Sequence, residues 1–267
     1  MNIRFDNQVV VVTGGAMGIG EATAREFAAS GASVAILDVN ADAGQKTAAG
    51  IPRSRFYPCN VADPQQVEAI MEKVAEDFGG LHVLVSNAGI QRYGDAIGTS
   101  TDVWSEVMDT NLNGAFYASK FAVPHIIESG GGSIVVLGSV QTFTAIGGST
   151  AYVTAKHGLF GLVRCLSLDF AKNNIRANCV CPGAIDTPML RWAASLDQNP
   201  DKVIETCNRM HVLGRIGKPE EVANAIVFLA SAQASFITGA ALLVDGGMLV
   251  PTGGMGFQEG GTGAAAR

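Results

Sequence analysis

Apolar positions in this chain fall in two alternating rhythms: short β-branched runs bounded by turn residues, and longer stretches with helical spacing. Gln8 to Thr13 (Q-V-V-V-V-T) is unbroken valine, the signature of a strand buried on both faces. A helical stretch follows at Glu21 to Ser30, closed by Gly31, and then a second strand at Ser33 to Asp38. Arg55 to Asn60 predicts a third strand, and Pro64 to Phe78 a helix with proline at its start and Gly79 past its end. His82 to Ser86, Ser133 to Leu137, Ile175 to Val180 and Ala241 to Asp245 continue the strand series. Between them lie helical stretches at Thr101 to Ile127, Ala151 to Asn173 and Pro219 to Ser231. Strands alternating with helices at this interval predict an α/β fold, a doubly wound parallel sheet in a single domain. The expected organisation is residues 1–247 as one domain and 248–267 as a Gly-rich C-terminal tail.

Two segments break the rhythm. Ala184 to Val212 carries Met189, Leu190, Trp192 and Met210 among polar residues without a clean strand. It reads either as a substrate lid beside the strand ends or as a helical pair packed on the body. The tail, Gly246 to Arg267, is either disordered or an arm against another subunit.

The first strand enters T-G-G-A-M-G-I-G, Thr13 to Gly20, and the second ends in Asp38. Strand, glycine turn, helix, strand and acid is the layout of a dinucleotide-binding βαβ unit. Gly14, Gly18 and Gly20 permit a tight turn and a close approach of main-chain N–H groups to a pyrophosphate at the helix N-terminus. A carboxylate at position 38 can accept from ribose hydroxyls and repels a 2′-phosphate, and Met17 offers the turn no cation. Both features favour NAD over NADP.

Composition narrows the partners. Of 267 residues 48% are hydrophobic and 16% charged, which supports a large core and excludes a disordered chain. A net charge of −6 gives no electrostatic reason to expect nucleic acid or an anionic membrane. No apolar run reaches the roughly 18 residues of a membrane span, and the N-terminal residues do not read as a secretory signal. Five irregularly spaced cysteines suit buried free thiols in a cytoplasmic protein better than a disulfide framework, and no metal site is expected.

Tyr152 and Lys156, in A-Y-V-T-A-K-H, stand four residues apart and leave one face of a helix. A phenol, with its ordinary pKa of about 10, is protonated at neutral pH, and an adjacent ammonium favours its ionisation. Such a pair can exchange protons with a substrate. Alone the spacing is common on solvated helices; Ser139 taken alone is a turn serine, and Asn111 a helix residue bonded to nearby main chain.

Taken together, Thr13-Gly-x-x-x-Gly-Ile-Gly20, Asn87-Ala88-Gly89, Asn111, Ser139, Tyr152-x-x-x-Lys156 and Pro182-Gly183 resemble the short-chain dehydrogenase/reductase family over about residues 5–247. The resemblance implies a Rossmann-type fold and an NAD(P)-dependent enzyme acting on CH–OH donors. It implies Tyr152 as general acid/base, Lys156 as the group that lowers its pKa and holds the nicotinamide ribose, and Ser139 as the donor to the substrate oxygen. Asn111 would anchor a water joining Lys156 to solvent. Gly14, Met17, Gly18, Ile19 and Gly20 would line the nucleotide, with Asp38, Asn60 and Val61 around the adenosine. Asn87, Ala88 and Gly89 would pack along it, and Pro182, Gly183, Ile185 and Thr187 would meet the nicotinamide. At Asn60 the family usually has an acid; the amide oxygen can accept the same adenine bond without charge. The helices at Leu112 to Ile127 and Leu159 to Phe170 are apolar enough to need burial on more than one side, and the resemblance implies that they pair across subunits in a homotetramer.

Substrate contacts are expected from Ser139, Gln141, Tyr152, Arg92 and Trp192, with Gln91, Tyr93, Thr142 and Phe143 as further candidates. Solvated loop residues are the alternative for each of the polar ones. Their donors and acceptors suit a small polyhydroxylated molecule, a sugar or polyol. The stretch Gly138 to Gln141 is similar to family members that act on aldoses such as L-fucose. A 3-oxoacyl thioester reductase and a hydroxysteroid dehydrogenase are alternatives, as is an NAD-binding regulator without catalysis.

Overall fold

The computed structural model describes residues 3–250. Seven strands form one parallel sheet in the order β3-β2-β1-β4-β5-β6-β7. They are β1 (Val9–Thr13), β2 (Ser33–Asp38), β3 (Ser54–Pro58), β4 (Val83–Ser86), β5 (Gly132–Leu137), β6 (Ile175–Pro182) and β7 (Ala241–Val244). The strand order reverses between β1 and β4, which opens a crevice at the carboxyl ends of these two strands.

The valine run explains the two-sided burial. Val9 and Val11 join a core on one side of the sheet, and Val10 and Val12 a core on the other. On the first side the sheet is covered by α3 (Pro64–Phe78), α5 (Gly114–Glu128) and α6 (Thr150–Asp169), through Met71, Ile126 and Leu159 among others. On the second lie α1 (Gly18–Ala29) and α9 (Pro219–Ala230), through Phe27 and Ile226. This is the predicted doubly wound α/β fold.

Three elements differ from the sequence reading. A helix α2 (Ala41–Ala49), capped by Asn40 accepting from Ala43 N at 3.1 Å, follows β2 where none was expected. Its sequence, A-D-A-G-Q-K-T-A-A, has almost no apolar stripe, so periodicity is silent. Gly44 lies there because a side chain would collide with the Phe56 ring. The stretch at Thr101 to Ile127 is α4 (Thr101–Met108) and α5 joined by a π turn at Asp109–Asn113. The helix expected to reach Asn173 ends at Asp169 and continues as a 3₁₀ turn, with Asn174 left-handed at φ 57°.

The irregular segment resolves into a helical pair, α7 (Pro188–Ser195) and α8 (Pro200–Met210). Each starts on a proline and is capped from the preceding residue, Thr187 accepting from Leu190 N at 3.3 Å and Asn199 from Lys202 N at 3.1 Å. Ala194 is the one fully buried residue in α7 and α8 has none, so the pair is lightly attached. Among the described residues no helix is long and apolar enough to cross a membrane. The tail from residue 251 onward lies outside the described residues.

Candidate active site

The glycine turn is built by exclusion. Gly14 has φ +62° and Gly18 φ +58°, conformations that side chains rarely adopt. A Cβ at Gly20 would run into the Gly14 carbonyl and stand 2.7 Å from Asn87 Nδ2. The turn and the first turn of α1 therefore present bare main chain to the crevice, a cradle that fits a pyrophosphate. α1 begins at Gly18, inside the turn, rather than at Glu21 as expected.

The turn is pinned from three directions. Asn87 Nδ2 donates to the carbonyls of Thr13 and Gly14, both at 2.9 Å. Thr13 Oγ1 accepts from Asn87 N at 3.0 Å and Ala88 N at 3.1 Å. Asp38 Oδ2 accepts from Ala16 N at 3.1 Å, and Oδ1 from Asn40 N at 3.0 Å. Asp38 thus holds the turn, and each oxygen keeps a lone pair for a further donor. Asn60 is exposed beside buried Val61, its Oδ1 accepting from Ala62 N at 3.1 Å. Met17 is exposed at the turn, and Ile19 packs inward against the second core.

At the end of β5, Leu137 leads into Ser139. The Ser139 side chain accepts from Gln141 N at 3.2 Å, and its own N–H donates to Thr142 Oγ1 at 3.2 Å, so the serine is locked in a capped 3₁₀ turn. Gly138 must be glycine, because a Cβ would stand 2.7 Å from Cys179 Sγ and 2.9 Å from Cys181 Sγ. These two buried thiols lie 3.5 Å apart on β6, behind the turn. Among the described residues no group of His, Cys, Asp or Glu is arranged for a metal. Not every thiol is buried as expected: Cys165 is exposed and Cys207 half-buried.

Lys156 is 4% exposed, and its Nζ donates to the Leu137 carbonyl at 2.7 Å and lies 5.4 Å from the centre of the Tyr152 ring. The helical spacing thus places the pair together beside Ser139. Their titration differs from the expectation. Burial pushes the Tyr152 phenol up to about 12; the hydrogen bond from Ser139 works against this and the nearby Tyr93 adds to it. Burial also lowers Lys156 to about 8, partly offset by the thiols of Cys179 and Cys181. Desolvation, rather than the lysine, dominates the phenol.

Asn111 is 1% exposed in the π turn. Its Oδ1 accepts from Ile90 N at 2.8 Å and its Nδ2 donates to Ile90 O at 2.9 Å. The amide therefore reads both main-chain groups of the residue that follows Gly89. π turns concentrate at functional sites, and this one carries Asn111, the residue expected to serve the site.

Several expected substrate contacts are already engaged. Arg92 makes a two-pronged pair with Glu106, at 3.0 and 2.6 Å, and also donates to Gln91 O. Gln91 is buried and its Nε2 donates to Ser149 Oγ at 3.1 Å. Thr142 is buried in the Ser139 turn, and Phe143 meets Phe160 edge-on at 5.8 Å. Gln141 differs: its Oε1 is buried without a hydrogen-bond partner among the described residues. Trp192 of α7 stacks on Tyr93 with ring centres 6.2 Å apart and an interplanar angle of 16°. The segment Pro182 to Thr187 runs from β6 back over the turn, since a Cβ at Gly18 would touch Thr187 at 3.4 Å.

The sequence reading did not single out the main-chain groups of Leu137 and Ile90, which carry no sequence signal, or the hydroxyl of Thr13. Thr13 does have a signal, its fixed place before Gly14, but its partners lie on another strand.

A family profile described as enoyl-(acyl carrier protein) reductase matches residues 14–249. The chain belongs to the short-chain dehydrogenase/reductase family. A meso-2,3-butanediol dehydrogenase of Serratia marcescens is 39% identical over 241 residues, covering 89% of this chain and 93% of that one. A 3-oxoacyl-(acyl-carrier-protein) reductase of Thermotoga maritima is 38% identical, covering 90% and 97%. Among solved structures, the ligand-free aldohexose dehydrogenase of Thermoplasma acidophilum superposes with a TM-score of 0.88 at 41% identity, covering 94% of this chain and 97% of that one. As a short-chain dehydrogenase/reductase the chain is an oxidoreductase that interconverts alcohols and carbonyls with a nicotinamide cofactor.

Proposed function

We propose that the chain is an NAD-dependent dehydrogenase that oxidises a hydroxyl of a sugar or polyol, an aldose being the representative substrate. The NAD assignment rests on Asp38, whose carboxylate stands at the adenosine end of the crevice with no cation on the turn to meet a 2′-phosphate. The observation that carries the substrate assignment is Gln141. Its unpartnered Oε1 lies two residues from Ser139 and is a buried acceptor that a second substrate hydroxyl would satisfy. The likeness to an aldohexose dehydrogenase supports the same class.

A bound nicotinamide ring supplies the hydride acceptor or donor and, when oxidised, a positive charge. The chain's own residues do the rest. The Ser139 hydroxyl orients the substrate oxygen; as phenolate, Tyr152 takes the substrate's hydroxyl proton during oxidation, and as phenol it returns one in the reverse direction. Lys156 spends one of its three donors on Leu137 O, leaving two for the ribose and for the phenol's side of the site. Gly14, Gly18 and Gly20 would admit the pyrophosphate, and the Ile185 to Thr187 segment, which lies over Gly18, would meet the nicotinamide amide.

The 3-oxoacyl reductase reading is favoured by the Thermotoga relative and opposed by Asp38, which points to NAD, the usual oxidant in catabolism. For assembly we infer a homotetramer. Phe116 and Ile127 on α5 and Leu168 on α6 stand exposed, the last at 79%, on helices whose other faces are already buried. Light scattering at micromolar concentration checks it, and a monomeric mass removes it. The decisive functional test is NADH formation on a panel of aldoses, polyols, simple diols and 3-hydroxyacyl thioesters. Turnover confined to thioesters overturns the sugar assignment, and NADH binding without turnover on any compound favours a non-catalytic regulator.

A further inference from the structure

His211 follows the last turn of α8, is 4% exposed, and has both ring nitrogens engaged. Nε2 accepts from Ala184 N at 3.1 Å, so the ring proton sits on Nδ1, which donates to Cys207 O at 2.7 Å. One neutral tautomer satisfies both contacts. Glycines make room for it: a Cβ at Gly183 would stand 2.6 Å from Nε2, and one at Gly246 would stand 3.4 Å from Cδ2. Main-chain bonds also tie this loop, Gly183 N to Val244 O at 3.2 Å, Gly217 N to Ala184 O at 2.9 Å and Asp186 N to Gly217 O at 2.9 Å, and further along Asp186 pairs with Arg191 of α7 and Thr187 caps that helix. The bond at Ala184 N comes from a side chain, and that side chain belongs to the α7–α8 segment. The charged neighbours around it are already engaged: Asp245 accepts from Gly247 N and Leu249 N, and Arg215 pairs with Glu221.

We propose that His211 is a positioning residue for the nicotinamide-facing loop: through Ala184 it sets where Ile185 and Thr187 stand over the glycine turn, and it links that loop to the end of the α7–α8 pair. The inference rests on the dinucleotide reading above and adds to it the side chain that fixes one half of the cofactor site. The adenosine half, held by Asp38 and Asn87, does not depend on His211.

That separation supplies the test. Dissociation constants for NADH and for ADP-ribose, which lacks the nicotinamide ring, are measured by calorimetry on wild type, His211→Leu and His211→Gln. Loss of one hydrogen bond to the loop should weaken NADH by about tenfold in His211→Leu while ADP-ribose stays within about twofold of wild type. Glutamine, whose Oε1 can accept from Ala184 N, should recover most of the NADH affinity. Unchanged NADH affinity in His211→Leu overturns the assignment, as does equal weakening of both ligands or a glutamine variant no better than leucine. If wild type binds neither ligand, the dinucleotide reading falls and this inference falls with it; if wild type binds both, only the role of His211 is at stake.

Discussion

Replacing Asn111 with Leu separates two jobs that one amide could do. In the structure the amide is a clamp: it accepts from Ile90 N at 2.8 Å and donates to Ile90 O at 2.9 Å, 1% exposed. Leucine has similar bulk and neither polar atom, so it leaves a buried donor and a buried acceptor unpaired. At about 1–3 kcal/mol for each orphaned group, the expected loss is about 2–6 kcal/mol. That is a large fraction of the 5–15 kcal/mol on the order of which domains are stable. Asn111→Asp keeps the acceptor for Ile90 N and turns an oxygen toward Ile90 O, so it should also lose stability. Urea unfolding at fixed protein concentration measures both variants. Turnover should fall in parallel, because Ile90 continues directly from Asn87-Ala88-Gly89. If Asn111 served only to hold a water for Lys156, turnover would fall while stability held. A loss under about 0.5 kcal/mol in Asn111→Leu would therefore refute the clamp.

Tyr152→Phe removes the proton-transfer group while keeping the ring, so turnover should drop by at least about a thousandfold with NADH affinity unchanged; retained turnover would remove Tyr152 from its role. Asp38→Ala should cut the ratio of kcat/KM with NAD to that with NADP by about tenfold or more, and should also weaken both cofactors because Ala16 N loses its partner. An unchanged ratio sinks the cofactor argument. Lys156 is lowered to about 8 from 10.5, so the unfolded chain holds the extra proton between those values and wild type should gain stability over Lys156→Met as pH rises from about 8 to 10.5. A flat difference across that window would mean the ammonium is not desolvated.

The central strands were legible because β1 and β4 are buried on both faces and their aliphatic runs leave little else for them to be, whereas the edge strands β3 and β7 are only partly buried. The glycine turn was legible because only glycine fits where the main chain must bend left-handed or approach another carbonyl. The places that escaped have physical reasons. α2 is held by a cap and by Phe56 rather than by an apolar stripe, so its pattern carries no period. The π turn at Asp109–Asn113 inserts within a stretch whose composition is helical throughout. Arg92 and Gln91 look like ligands in sequence because their charge and amide are visible, while their partners Glu106 and Ser149 are distant in the chain. Gln141 could be separated from them only by seeing which amide has no partner. His211 was passed over for the same reason in reverse: a lone histidine in an irregular segment has no meaning until Ala184 N is found against it.

Burial brings the acid–base pair into an order that the i, i+4 spacing does not convey. A phenol at about 12 beside an ammonium at about 8 means that, in the folded protein, Lys156 gives up a proton more readily than Tyr152 does. Each is displaced by the same cause, desolvation, which raises an acid that ionises to an anion and lowers one that ionises from a cation. Added positive charge near the phenol favours the phenolate, and the same charge drives Lys156 further toward neutrality. The groups that can oppose this second effect are the ones already around the ammonium: the Leu137 carbonyl at 2.7 Å and the thiols of Cys179 and Cys181 behind it. The two thiols stand 3.5 Å apart and share one hydrogen bond, and that bond together with burial pushes the Cys179 thiol up. The end of β5 and the Cys179 to Cys181 stretch of β6 thus act on the lysine from behind, against the larger effect of its burial.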